Sequence, residues 1–138
     1  MAKTPGGYRF LMAQAQIALP PDASAPSKAR ELLLRVMSDQ TGTEKRRGAL
    51  LALSEIVTNA VLYGATDQSD PINLLIERTD DVVMVRVIQP RPAPERLSIA
   101  DVPEGWSSSG YGLRIVDAVA DRWGVQLEPP SVWFELRL

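Results

Sequence analysis

Between Ile72 and Ile88 the chain carries two runs of strand composition, INLLIER and VVMVRVI, with only Thr79-Asp80-Asp81 between them. Rich in Ile and Val and joined by a short polar turn, they read as a β-hairpin. A link of that length allows antiparallel pairing alone, because a parallel crossover needs a dozen residues or more. The C-terminus repeats the device: Val125 to Leu127 and Val132 to Leu138 meet at Glu128-Pro129-Pro130. In the last run Val132, Phe134, Leu136 and Leu138 alternate, so one face of the strand packs on another layer. Tyr8 to Leu19 alternates more weakly and reads as a first strand, ended by Pro20-Pro21-Asp22. Residues 1–7, with Pro5, Gly6 and Gly7, read as a flexible lead-in to one domain spanning residues 8–138.

The other segments have helical spacing. Ala29, Leu32, Leu33, Val36 and Met37 fall at i, i+3, i+4, i+7 and i+8, which predicts a helix from Ala25 to Ser38 with Ser24 as its cap and Pro26 in its first turn. Gly42 and Thr43 connect it to a second helix starting near Glu44. Leu50, Leu53, Val57, Ala60 and Val61 form the apolar stripe of that helix, and Gly64 stops it. Gly112 to Arg122 predicts a third, with Leu113, Ile115, Val116, Val119 and Ala120 apolar. The order is therefore strand, helix, helix, hairpin, long segment, helix, hairpin. It implies an α+β fold, a two-layer sandwich in which a mixed, mostly antiparallel sheet carries three helices on one face.

Composition removes several chemistries. The 138 residues include no cysteine and no histidine. Disulfides, thiolate catalysis, Cys-type zinc, a Ser-His-Asp triad and an imidazole base are all excluded. A net charge of −2 argues against a nucleic-acid partner. No apolar run reaches the roughly 18 residues of a membrane span, and MAKTPGGYRF lacks a secretory core, so a cytoplasmic protein is expected.

Two groups of residues remain to be explained. Glu55 and Asn59, four apart on the second helix, project from one side, away from the apolar stripe. On an arbitrary helix they would be a solvated acid and a solvated amide. Asn, however, is a mediocre helix former, so its place among good ones suggests a use. Gly110-Tyr111-Gly112-Leu113 lies where a loop turns into the third helix, and a helix N-terminus flanked by glycines offers free N–H groups to an anion. A Gly-x-Gly pair is usually mere punctuation. Between the two groups, residues 90–109 hold Pro90, Pro92, Pro94, Pro103 and Gly105, the texture of a functional loop. A carboxylate, an amide, an anion-ready terminus and a lid suit a phosphate with a divalent ion. Magnesium takes hard oxygen ligands and keeps waters, so Asn59 is the candidate ligand and Glu55 the candidate base.

The segment from Ser54 to Val61, SEIVTNAV, resembles the N box of the small anti-sigma factor serine/threonine kinases, within the histidine-kinase-like (GHKL) ATPase superfamily. Gly110 to Asp117, GYGLRIVD, and the following AVADRWGV resemble their second glycine box and its continuation. The ending Val132-Trp133-Phe134-Glu135-Leu136 is similar to that of short actinobacterial-type members, and the resemblance runs from about residue 10 to the C-terminus. It implies a Bergerat-type ATP-binding fold with ATP and Mg2+ as cofactors. Asn59 would hold the metal. Glu55 would orient or deprotonate a serine hydroxyl on a STAS-type anti-anti-sigma partner. Gly110, Tyr111, Gly112 and Leu113 would lie beside the phosphates. A sigma factor is the implied alternative partner, and a homodimer the implied assembly.

The family normally places an aspartate, which accepts a hydrogen bond from the adenine amino group, at the end of the strand before the lid. Here Gln89 stands in that place. A neutral amide forgoes charge assistance worth about 1 kcal/mol. Tyr63 also stands where the family commonly has histidine. Two function classes follow: an ATP-dependent protein kinase that doubles as an anti-sigma factor, or a non-catalytic regulator-binding module with a degenerate nucleotide pocket. Other GHKL roles, such as a detached histidine-kinase catalytic domain, form a third. Trp123 and Trp133 are expected in the core, and Trp106, in the lid, near a ligand or partner.

Overall fold

The computed structural model describes residues 2–4, 7–9, 11–37, 41–64, 70–90, 107–127 and 129–138. Strand β3 (Ala13–Leu19) leads into helices α1 (Ala25–Val36) and α2 (Thr43–Asn59), and a π turn (Ala60–Gly64) prolongs α2. The hairpin β4 (Ile72–Arg78) and β5 (Val82–Ile88) follows, then α3 (Ser107–Val119) and a second hairpin, β6 (Arg122–Leu127) and β7 (Pro130–Arg137). The sheet order is β3-β4-β5-β7-β6, and every adjacent pair is antiparallel. Both hairpins and the α+β class emerge as the sequence implies. At the N-terminus, two short strands, β1 (Ala2–Thr4) and β2 (Gly7–Arg9), pair antiparallel with each other.

Strand alternation divides the sheet. Ile76, Val85 and Phe134 stand side by side on one face, with Leu74, Val87 and Val132 in the next row, and all six are buried in the core shared with the helices. The helices contribute Ala29 and Leu33 from α1, Leu53, Ile56 and Val57 from α2, and Leu113 and Val116 from α3. Fully burying one such aliphatic side chain contributes about 1.5–3 kcal/mol. On the opposite face Glu77, Met84 and Glu135 form one row, and Leu75, Arg86, Trp133 and Gly124 the next. There burial pushes the Glu77 carboxyl above its ordinary range, against the pull of Arg86.

Several expectations are corrected. Trp133 lies on this outer face, because Val132 and Phe134 turn inward, and it covers Gly124; a Cβ on that glycine would fall 2.9 Å from the indole Nε1. Trp123 does pack against the core, and its Nε1 donates to Asp117 Oδ1 (2.9 Å). Ser24 occupies the cap position of α1, yet its hydroxyl donates to Asp22 Oδ1 and caps nothing. Helix α3 starts at Ser107, five residues before the glycine-based expectation, and ends at Val119, so that β6 begins at Arg122. Its closing bond is Ala120 N–H to Val116 O (2.8 Å), after which Asp121 N–H donates across to Glu135 O (3.0 Å). The lid residues 91–106, Trp106 included, lie outside the described residues.

Candidate functional site

Register and connectivity decide which residues share an end of the sheet. Ile72 pairs with Leu19, and Ile88 pairs with Asn73 and Ser131, so these residues mark one end of the sheet together with Gln89. Val82, Arg137 and Arg122 mark the other. Helix α1 departs from the first end, immediately after Leu19. Helix α3 finishes near the second, three residues before Arg122, and so begins near the first. The start of α2 belongs to the second end: Lys45 Nζ donates to Arg137 O (2.6 Å), and Glu44, Lys45 and Gly48 share a depression with Ala118 and Val119. Helices α2 and α3 thus run antiparallel. The close of α2, the opening of α3 and Gln89 all gather at the first end.

On α2 the stripe Gly48, Ala52, Glu55, Asn59 repeats at steps of four, three and four. Gly48 fixes its direction, since a Cβ there would lie 3.1 Å from Val119 Cγ1. The stripe faces α3. Glu55 is half-buried on it, and Asn59 is only 8% exposed. The sequence treats both residues as a polar face apart from the core, yet the structure buries the amide between helices. Asn59 Oδ1 is buried and, among the described residues, has no hydrogen-bond partner. Leaving such an acceptor unsatisfied costs about 1–3 kcal/mol, so the oxygen has room in its chemistry for a water, an ion or a ligand. The π turn starts at the next residue, where Ala60 N–H reaches both Ile56 O and Val57 O. Single π turns inside helices frequently accompany functional sites. Tyr63 lies in that turn.

The other predicted residues sort as follows. Gln89 is 9% exposed, and its N–H donates to Pro130 O (2.9 Å). The alternation that turns Val83, Val85 and Val87 to the helices sets it on the same side. Gly110, Tyr111 and Gly112 sit within the opening turns of α3 and not at its boundary, because the helix begins at Ser107. Leu113 is 1% exposed, a core side chain.

Sequence reasoning passes over the seam between α1 and α2. Arg30 Nη1 donates to Ser54 Oγ (3.0 Å), which donates to Leu50 O (2.8 Å) and ties the two helices together beside Glu55. Above this bridge Asp22, Ala23 and Pro26 face Thr58, Val61 and Leu62 across a groove of about 430 Å³. The Ser24 hydroxyl, then the Ser24 N–H, holds the Asp22 carboxyl below its usual range. No periodicity marks Arg30 or Ser54, because their pairing is a property of two helices.

The histidine kinase-like ATPase domain model matches residues 19–134, from the last residue of β3 into β7. The chain belongs to this family. Among solved structures, the histidine kinase-like fold seen here is similar to the RsbU and RsbW domains of Rv1364c from Mycobacterium tuberculosis. The TM-score is 0.64 at 20% identity, over 91% of this chain and 32% of that longer one. No curated protein shows a significant match. Among the described residues of this ATPase domain, no helix is long and apolar enough to cross a membrane.

Proposed function

We propose that the chain is an ATP-dependent serine/threonine protein kinase that acts as an anti-sigma regulatory factor, with a STAS-type anti-anti-sigma protein as its phosphoacceptor. One observation carries the reading: a buried amide oxygen without a partner among the described residues, one turn from a half-buried carboxylate, on the α2 stripe that Gly48 turns toward α3. Membership of an ATPase family and likeness to a fold that includes an RsbW domain support it.

The donor set fits magnesium. Asn59 Oδ1 is a hard, neutral oxygen already desolvated, and among the described residues no group of three His, Cys, Asp or Glu could hold a metal unaided. An ion at Asn59 would therefore complete its shell with phosphate oxygens and water. When bound, it supplies neutralisation of phosphate charge. Glu55 accepts the proton of the serine hydroxyl as that oxygen bonds to the γ-phosphorus and the bond to the β-phosphate oxygen breaks. Gly110 and Gly112, early in α3, would let phosphate oxygens approach the backbone there.

Calorimetric titration of the purified chain with ATP, with and without magnesium, tests the proposal. Binding that needs magnesium, is lost in Asn59→Ala and persists in Glu55→Ala is the expected result, together with loss of phosphotransfer in Glu55→Ala. No binding at millimolar nucleotide would sink the kinase reading. Gln89 favours a second reading, a module that sequesters a regulator through its surface without nucleotide. A partner complex indifferent to both ATP and Asn59→Ala would establish that alternative.

A further inference from the structure

The groove between α1 and α2 is adjacent to the proposed base. Thr58 lies three residues after Glu55, and Leu62 lies four after Thr58, 57% exposed. Each residue of a π turn advances by a smaller angle than an α residue, so the turn swings Leu62 toward the start of α1. Ala23 and Pro26 form the facing wall, and the Arg30–Ser54 bond holds that wall in place. Leu51, one turn before Glu55 on the exposed side of α2, is 48% exposed. Two accessible leucines therefore bracket the carboxylate. At the rim, Asp22 Oδ1 accepts from Ser24, while among the described residues the other carboxylate oxygen has no hydrogen bond. It is a fixed, exposed negative charge.

We propose that this groove is the specificity pocket for the phosphoacceptor: it takes an aliphatic side chain about three residues from the accepting hydroxyl, with a Lys or Arg of the same protein facing Asp22. The inference rests on the kinase reading, since the occupant must also deliver a hydroxyl to Glu55. The spacing supports it. Glu55 to Leu62 spans about 10 Å along a helix at 1.5 Å per residue, and about three residues of extended chain cover the same distance at about 3.3 Å each. The groove volume of about 430 Å³ holds a branched aliphatic side chain with part of its backbone. Charge complementarity selects the partner's cation, because among the described residues the carboxylate that lines the groove is that of Asp22.

The test uses the full chain and radiolabelled ATP in a soluble extract of the organism's own cells, with Glu55→Ala as the blank. The protein labelled on serine or threonine in a Glu55-dependent way is identified, purified and used for steady-state kinetics. Leu62→Glu should raise KM for that acceptor about tenfold, the loss of one buried aliphatic contact. Its kcat and its affinity for ATP should not change. Asp22→Asn, which keeps the acceptor for Ser24, should raise KM about threefold at low salt and leave it unchanged at high salt. An acceptor phosphorylated with equal KM by Leu62→Glu overturns the groove alone. So does a drop in solution mass in that variant, which would make the face a contact between copies. Absence of any Glu55-dependent acceptor overturns the kinase reading and the groove with it.

Discussion

At its start α2 sets a glycine against Val119 at contact distance, whereas at its close it runs into a π turn beside an amide oxygen that is buried and, among the described residues, unpaired. Gly48 and Asn59 lie on one stripe of α2, and Gly48 turns that stripe toward α3. The difference shows where the helix pair is locked and where a polar group is left unpaired. Close packing of Gly48 on Val119 sets the helix separation at the end remote from Asn59. The other end keeps a polar group desolvated, an arrangement that costs stability and that the proposed metal–phosphate site would offset.

Replacing Asn59 by alanine should give the largest effect. Affinity for magnesium-ATP is expected to fall about a hundredfold, or about 2.7 kcal/mol at 1.4 kcal/mol per tenfold. Stability of the free protein should hold or rise, because the variant removes an unsatisfied buried acceptor and inserts a better helix former. Thermal denaturation with and without nucleotide reads both quantities. A lower melting temperature with magnesium dependence intact would make Asn59 a structural residue, and the contrast between the two ends would dissolve.

At the locked end the expected pattern is the reverse. Gly48→Val brings a branched Cβ to a position 3.1 Å from Val119 Cγ1, with two γ-methyls added to that contact. Overpacking of this kind costs about 1–3 kcal/mol. Urea unfolding should register that loss, while the folded fraction binds nucleotide as tightly as the parent. Unchanged stability would mean that α3 is free to shift and that Gly48 does not set the spacing.

What was legible in the sequence depends on how local its cause was. The β4–β5 hairpin is written in two seven-residue runs and a three-residue turn, and its strands begin and end where composition says. The apolar side of α2 follows from its spacing, with Leu53, Val57 and Ala60 fully buried. Burial of Asn59 does not follow, because periodicity scores apolar residues, whereas burial of a polar side chain is a product of tertiary packing. Gly110 and Gly112 suggested a helix boundary, since each costs a helix interior about 1 kcal/mol. The helix nevertheless runs from Ser107, so tertiary packing outweighs that local penalty. Trp133 lies outside the core because the alternation of Val132 and Phe134 turns it to the outer face. The pairing of Arg30 with Ser54 spans 24 positions, and no local pattern encodes it.

Gln89 offers the smallest and most discriminating change. It is 9% exposed on the helix side of the sheet end, where an adenine amino group would need an acceptor. Gln89→Asp places a carboxylate there in place of the neutral amide. In the free protein that charge is desolvated, so the melting temperature should fall. In the presence of ATP the same carboxylate accepts a charge-assisted hydrogen bond, and affinity should rise about fivefold, roughly 1 kcal/mol. The two shifts have opposite signs, which separates a nucleotide site from a mere buried position. A destabilised variant without tighter ATP binding would mean that the pocket around Gln89 no longer takes adenine, and it would move the balance toward the non-catalytic module. A gain with both signs as expected would mean that one amide in place of one carboxylate is all that separates this cleft from a tighter one. Asn59 and Glu55 would then stand at the end of α2 for the phosphate chemistry their placement suggests.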